Sequence, residues 1–143
     1  MALWQKFKAW WKPEPVHLQR GSLGERAAKG FLKENGLKFL TANFAGRRGE
    51  IDLVFRDGEC LVFVEVKTRS SEAWTRPSRA VDARKRLAIV RTAHDYLGLL
   101  GNPAVPYRFD VVEVLLEEGE VREIRHIESA FNSRAADQRE VRR

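Results

Sequence analysis

The sequence has one cysteine and no long hydrophobic run, and each shortage rules out a class of protein. Cys60 stands alone, so no disulfide can form within the chain and no zinc site can be built from cysteines. No stretch reaches the roughly 20 consecutive apolar residues that a membrane-spanning helix needs. Histidine is also rare, and the three histidines stand far apart, so none is assigned a role. We therefore expect a cytoplasmic protein without a transmembrane segment.

What the chain has in excess is positive charge. Its 143 residues include 26 Lys and Arg against 20 Asp and Glu, which gives a formal net charge of +6 and a pI of about 9.8. This balance favours a polyanionic partner, with nucleic acid ahead of an anionic membrane surface. The alternative is that the charge only keeps the protein in solution. The length suits one compact domain with its own core.

Composition divides the chain into three parts. Residues 1–21 are rich in tryptophan and lysine, residues 22–131 carry the regular hydrophobic patterns, and residues 132–143 form a charged tail that we expect to be frayed. The N-terminal extension lacks the apolar stretch and the cleavage site of a signal peptide. Its aromatic residues share one helical face, which indicates packing on its own domain or on a second copy. Contact with a membrane surface or with nucleic acid is the alternative.

Hydrophobic periodicity predicts an α/β domain with the order α-β-β-β-α-β-β. The helices are expected at 24–35 and 79–97, and the strands at 37–44, 50–56, 60–68, 107–116 and 121–127. Ser22 and Ser78 are the expected N-caps, and residues 70–77 are expected to form a polar loop. Gly36 is the expected end of the first helix, and Gly98 and Gly101 are expected to end the second. The predicted sheet is mixed, because the second helix must cross between the third and fourth strands, and the last strand lies at an edge.

Residues 62–69, VFVEVKTR, combine the pattern of a buried strand with two charges. Because side chains alternate along a strand, Glu65 and Lys67 share one face, while the valines between and before them face the core. The Asp57-Gly58 hairpin brings Asp52 to the same end of the sheet, where a bulge or a diagonal contact would let it meet Glu65. Two carboxylates that meet repel each other unless a cation separates them. Hard oxygen ligands favour Mg²⁺ or Mn²⁺.

A metal held by two carboxylates, with an ammonium group beside it, is in outline a phosphodiester-cleaving centre. The ion would lower the pKa of a bound water and stabilise charge on the phosphoryl oxygens. Lys67 could orient the attacking water or stabilise the developing negative charge. The alternative is a surface salt bridge between Glu65 and Lys67, which would contribute little to stability.

Two motifs make the sequence resemble a known family. Gly-Glu-Ile-Asp-Leu at 49–53 and the VFVEVKTR stretch resemble the PD-(D/E)xK nuclease signature. More closely, residues 22–131 are similar to the YraN-type family of small bacterial proteins described as endonuclease-like. Further matching segments are G-E-R-A-A at 24–28, A-V-D-A-R-K at 80–85 and R-F-D-V-V at 108–112. The chain departs from the family in the loop at 73–77, which has no glycine.

This resemblance implies a restriction-endonuclease-like core and assigns roles to individual residues. Asp52 and Glu65 match the acidic metal-binding pair, with the backbone carbonyl of Val66 as a further ligand. Lys67 matches the catalytic lysine. Glu25 matches the helix glutamate that completes or orients the site in archaeal Holliday-junction resolvases, which the chain also resembles. Because those relatives pair two active sites, a homodimer is an open alternative.

Basic residues cluster on both sides of the acidic motifs. We expect Arg47 and Arg48, just before the acidic strand, and Arg69 and Lys85, after the lysine motif, to contact phosphate groups. Such contacts give an affinity that falls with salt and carries no sequence information. The alternative is a solvated helix face. The R-F-D motif at 108–110 indicates a structural ion pair instead.

Three functions fit these observations. The first is a metal-dependent nuclease acting on DNA, including branched or single-stranded DNA. The second is a non-catalytic nucleic-acid-binding module with the same fold. The third is an interaction domain whose basic face binds an acidic protein. All the matched acidic and lysine positions are intact, which favours the first.

Overall fold

The computed structural model describes residues 23–74 and 81–134 and confirms the expected order of long helices and strands. The elements are α1 (Leu23–Glu34), β1 (Lys38–Ala45), β2 (Glu50–Asp57), β3 (Cys60–Arg69), α2 (Ser71–Trp74), α3 (Ala83–Leu99), β4 (Tyr107–Glu117) and β5 (Glu120–Phe131). The predicted N-terminal extension and most of the predicted tail lie outside the described residues. No helix in the described part of the chain is long and apolar enough to span a membrane.

The five strands form one mixed sheet in the order β1-β2-β3-β4-β5. Only β3 and β4 run parallel, and α3 connects them, while the other three neighbouring pairs are antiparallel. The expected mixed sheet, with the last strand at an edge, is therefore confirmed. β3 is the central strand, so whatever projects from it is held by neighbours on both sides.

Helices cover both faces of the sheet, which gives two hydrophobic layers. On one face, Leu32 of α1 packs in a cluster with Val62 and Val64. On the other face, the ring of Tyr96 from α3 meets the ring of Phe63 edge to face, with 5.7 Å between centroids. A strand covered on both sides is apolar on both sides, as in parallel sheets of α/β proteins. Glu65 is therefore the position at which β3 first becomes polar on its α3 face.

Glycine ends α1 as its position in the sequence predicts. Gly36 has a φ of +90°, and its N–H bonds to the carbonyl of Lys33 while that of Leu37 bonds to the carbonyl of Leu32. These two bonds are the Schellman motif, in which a residue without Cβ takes the left-handed conformation. Gly101, with a φ of +81°, follows the end of α3, whereas Gly98 lies within that helix and does not end it.

The start of α3 differs from the expectation. The helix begins at Ala83 rather than at residue 79, because Asp82 has an extended backbone and its Oδ1 accepts the N–H of Lys85 at 2.9 Å. The predicted cap, Ser78, lies outside the described residues. The expected polar loop at 70–77 also begins with the short helix α2.

A buried aspartate shapes the end of the sheet near β5. β5 bulges opposite Asp110, and within the bulge Ser129 has a φ of +48°. The Asp110 carboxylate is fully buried and accepts the N–H of Ser129 at 3.0 Å and Nε of Arg108 at 3.1 Å. Nε2 of His126 lies 2.8 Å from the same carboxylate. The structural role expected for the Arg108–Asp110 pair is therefore confirmed.

Candidate metal centre

Asp52 and Glu65 meet where β2 stops pairing with β3. The hairpin pairs Asp57 with Cys60, and the same register continues without a shift to the last pair, Leu53 and Val64. One further step along this register sets Asp52 opposite Glu65. The offset expected from the sequence, which a bulge or a diagonal contact would have absorbed, was therefore wrong, because the two turn residues are Gly58 and Glu59 rather than Asp57 and Gly58.

The Asp52 carboxylate replaces a strand carbonyl at this point. The N–H of Val66 donates to Oδ2 of Asp52 at 2.8 Å. Side-chain alternation in β2 also breaks here: Ile51 packs on the α3 side of the sheet, whereas Leu53 packs on the α1 side. Regular alternation along a strand would place both on one face. Asp52 thus lies at a local change in the strand, fixed by a hydrogen bond to β3.

Glu65 is an unusual carboxylate because it is buried beside another carboxylate. Only 7% of its surface is exposed, and its Oε2 has no hydrogen-bond partner in the described part of the chain. Burial raises the pKa of Glu65 from 4.5 to about 7, and the negative charge of Asp52 adds to the rise. The positive charges of Lys85 and, less strongly, Lys67 oppose it. A cation between the two carboxylates would offset the cost of burying the Glu65 charge and would cancel its repulsion from Asp52.

Among the described residues, the ammonium group closest to Glu65 comes from α3 rather than from β3. Nζ of Lys85 lies 3.6 Å from Oε1 of Glu65. Lys67 projects from the same face of β3 two residues beyond Glu65 and is partly buried. Lys85 was expected only as a phosphate contact. No local pattern links it to Glu65, since the contact depends on how α3 lies across the sheet.

The donor set suits a hard divalent ion for which the protein supplies only some of the ligands. Asp52 and Glu65 offer carboxylate oxygens, and the carbonyl of Val66 is the expected backbone ligand. Within residues 23–74 and 81–134, no group of three or more His, Cys, Asp and Glu side chains could hold an ion. Mg²⁺ is commonly bound by one or two carboxylates, with water and phosphate oxygens completing its shell. The residues present therefore fit Mg²⁺ or Mn²⁺ better than a softer metal.

Glu25 is carried by α1, whereas Glu65 and Lys67 project from β3. It is in the first turn of α1, where it is partly buried. α1 covers the face opposite to the one that carries Glu65 and Lys67. The part that Glu25 plays in the site stays a prediction from the resemblance.

Arg47 and Arg48 lie on an exposed loop that rests on α3. The N–H of Arg47 donates to Oδ2 of Asp95 at 3.1 Å. A Cβ placed on Gly49 would come within 3.1 Å of Oγ1 of Thr92, which shows how closely the loop backbone approaches the helix. Both arginine side chains are exposed, on a loop that packs against the helix carrying Lys85.

Arg69 is held inside the protein rather than presented to solvent. Its Nε lies 2.7 Å from Oε2 of Glu113, a side chain that is 1% exposed. This ion pair argues against the phosphate contact expected for Arg69. Glu113 was not predicted, although it is the single charge in the apolar run at 111–116. The parallel register sets it beside Lys67.

Fold and site together define a class: an α/β protein with a mixed five-stranded sheet, two adjoining carboxylates on neighbouring strands where β2 stops pairing with β3, and lysines beside them. The chain belongs to the family described as "Uncharacterised protein family UPF0102", whose model matches residues 24–114. This agrees with the YraN-type resemblance of the sequence. The family description names no activity, so the relation to PD-(D/E)xK nucleases remains a matter of proposal.

Bacterial relatives match over most of their length. The UPF0102 protein of Moorella thermoacetica is 44% identical over 114 residues, which cover 79% of this chain and 95% of the relative. That of Symbiobacterium thermophilum is 45% identical over 114 residues, with 79% and 96% covered. That of Acetivibrio thermocellus is 47% identical over 116 residues, with 78% and 89% covered. The chain therefore spans nearly the whole of these relatives.

Proposed function

We propose that this protein is a divalent-metal-dependent nuclease that hydrolyses phosphodiester bonds in DNA, built on a restriction-endonuclease-like core. The observation that carries the proposal is the buried Glu65 carboxylate, which adjoins Asp52 and keeps one oxygen unpartnered in the described structure. Buried polar atoms are nearly always paired, and an exception calls for an explanation such as an ion. Asp52, Glu65 and the carbonyl of Val66 would hold Mg²⁺ or Mn²⁺.

The residues of the site divide the chemistry between them. When bound, the ion would neutralise charge on the phosphate and lower the pKa of a nearby water. Asp52 is oriented by the N–H of Val66, and Glu65 is fixed on the central strand, so both carboxylates are positioned in advance. Lys67, on the same face as Glu65, orients the attacking water or stabilises the negative charge that develops on the phosphoryl oxygens.

The surface around the site suits a phosphate backbone. Arg84, Lys85 and Arg86 occupy the first turn of α3, where the helix dipole is already positive and cations are unfavourable for stability. A cluster of this kind favours an anion at the helix N-terminus. Arg47 and Arg48 extend the basic surface along the loop on the same helix. DNA is the proposed substrate, and a comparison of linear, flap and four-way-junction DNA determines whether a branched form is preferred.

A non-catalytic DNA-binding module is the second candidate. Lys85 already supplies a positive charge to Glu65, and no cluster of three side-chain ligands occurs in the described part of the chain. Such a module would bind DNA through the same basic residues. Its affinity would fall with salt and would not depend on a divalent ion.

Cleavage of labelled linear, flap and four-way-junction DNA with Mg²⁺ or Mn²⁺ tests the proposal. We expect cutting that a chelator stops and that Glu65→Ala and Lys67→Ala each reduce by about 100-fold or more. Glu50→Ala, which removes an exposed carboxylate from the same strand as Asp52, is the matched control and should cut normally. Cutting that survives both site substitutions would come from a contaminant, whereas salt-sensitive binding without cutting would favour the second candidate.

A further inference from the structure

We propose that Lys85 is the resident counter-ion of Glu65 and that it moves to a DNA phosphate when Glu65 binds a divalent cation. This inference rests on the proposed function, because it assumes that Asp52 and Glu65 bind such an ion. It makes Lys85 the link between metal loading and DNA binding. A single side chain would then serve the empty and the loaded site in turn.

The ion pair between Lys85 and Glu65 is long, and it joins a half-exposed lysine to a buried glutamate. Nζ lies 3.6 Å from Oε1, which is longer than the roughly 2.7–2.9 Å of a charge-assisted hydrogen bond. The lysine side chain is 49% exposed, while that of Glu65 is 8% exposed. The Arg69–Glu113 pair differs on both counts, at 2.7 Å with 19% and 1% exposed. Lys85 is therefore the cation that can leave its carboxylate without uncovering a buried charge of its own.

The backbone of Lys85 is fixed by a hydrogen bond, whereas about half of its side chain is exposed. Its N–H is bound by the capping carboxylate of Asp82 at 2.9 Å. The flexible four-carbon stem lets the ammonium swing while Cα stays in place. The charge can thus relocate by side-chain rotation alone, with no change in α3.

A divalent ion bound at Glu65 would repel the ammonium group of Lys85. Like charges about 4 Å apart repel strongly even near a protein surface, and the repulsion doubles for a doubly charged ion. The released ammonium would still lie in the first turn of α3, next to Arg84, where an anion is favoured. Arg86 is less available, because its Nε donates to the carbonyl of Val81 at 2.7 Å. Lys85 and Arg84 therefore form the phosphate-binding pair of the loaded site.

A Mn²⁺ titration by calorimetry, without DNA, tests the counter-ion role. Lys85→Met should bind Mn²⁺ about tenfold more tightly than the unaltered protein, because a competing positive charge is gone. Lys85→Arg keeps the charge and should bind within about twofold of the unaltered protein. Arg84→Met is the matched control: it removes an equal charge from the same exposed turn and should change Mn²⁺ affinity by less than about threefold.

DNA binding with and without an ion tests the exchange itself. In a chelator, Lys85→Met should bind labelled DNA within about twofold of the unaltered protein, since Lys85 is held at Glu65. With Ca²⁺, used to limit hydrolysis, it should bind about tenfold more weakly. Arg84→Met should weaken binding equally in both conditions.

The outcomes separate this inference from the proposed function. If the unaltered protein binds Mn²⁺ but Lys85→Met leaves that affinity unchanged or lowers it, Lys85 is not a counter-ion and only this inference fails. The same holds if Lys85→Met weakens DNA binding equally with and without Ca²⁺. If the unaltered protein binds no Mn²⁺ at all, the proposed function fails together with it.

Discussion

Glu65 occupies a position at which an ionised carboxylate destabilises the fold. It is buried, it adjoins Asp52, and one of its oxygens lacks a partner in the described structure. Such an arrangement lowers stability whenever the group is ionised and no cation is bound. A bound cation, as proposed for this site, would offset this cost.

Replacing Glu65 by glutamine should change how stability depends on pH. Because folding raises the pKa of Glu65 from 4.5 to about 7, the native protein holds a proton that the unfolded chain has lost in this range. Stability without metal therefore falls as pH rises from about 4.5 to about 7. Glu65→Gln removes this loss and should be about 1–3 kcal/mol more stable than the unaltered protein at pH 8.

Urea unfolding with a chelator, at a series of pH values, measures this difference. Glu50→Gln, at an exposed position of β2, is the control and should follow the unaltered protein at every pH. A stability difference for Glu65→Gln that stays the same from pH 5 to pH 8 would mean that Glu65 does not titrate in this window.

Single residues of the site were predictable where short-range rules apply. Alternation along β3 put Glu65 and Lys67 on one face, and the hairpin brought Asp52 to the same end of the sheet. The sequence did not predict the ion pair between Lys85 and Glu65 or the one between Arg69 and Glu113. Both contacts join elements distant in the sequence, and their geometry depends on packing that local patterns do not encode.

At the scale of elements, the loop between β1 and β2 depends on glycine for its approach to α3. A Cβ on Gly46 would lie 2.6 Å from Oδ2 of Asp95 and 3.0 Å from Cγ2 of Thr92. That Oδ2 also accepts the N–H of Arg47, so moving it costs a hydrogen bond. The loop presents two of the proposed phosphate contacts, and its position is set by this close approach.

Gly46→Ala should therefore destabilise the protein by about 1–3 kcal/mol in urea unfolding. Gly30→Ala is the opposite case. Gly30 lies within α1 and a Cβ there meets nothing within 4 Å, so alanine should stabilise by about 0.5–1 kcal/mol through helix propensity. Equal stability of Gly46→Ala and the unaltered protein would show that the loop can move away from α3 freely.

The β5 bulge depends on the buried carboxylate of Asp110. Asp110→Ala removes the acceptor for Ser129 and leaves Arg108, which is 18% exposed, without its buried partner. We expect a loss of about 3–5 kcal/mol in thermal or urea unfolding. Glu128→Ala, which removes a 63% exposed carboxylate 3.9 Å from the same arginine, should cost less than about 0.5 kcal/mol. Similar losses for the two variants would contradict this account of the bulge.

Element ends were predictable when one residue decided them. Gly36 and Gly101 follow the helices as expected, because each takes a positive φ that other residues avoid. The start of α3 was misjudged, because serine at 78 and aspartate at 82 are both good caps by residue type. The choice between them depends on how the chain crosses from β3, which the sequence pattern does not specify.

On the scale of the whole molecule, the sheet explains why the site lies where it does. β3 is the central strand, paired with β4 through Arg69 but with β2 only as far as Val64. Beyond that pair, the α3 face of β3 turns from apolar to charged. The polar centre thus begins where the hydrophobic layer under α3 ends, and the basic first turn of that helix lies beside it.

A Mn²⁺ titration at pH 8, where Glu65 is ionised, tests most directly whether Asp52 and Glu65 form a divalent-cation site. We predict a single site in the unaltered protein that Asp52→Asn and Glu65→Gln each weaken by about 100-fold or more, since each removes a charged ligand. Glu50→Gln, which alters an exposed carboxylate on β2, should bind as the unaltered protein does. Mn²⁺ binding that persists in both site variants, or that is absent from the unaltered protein, would contradict the proposed metal centre.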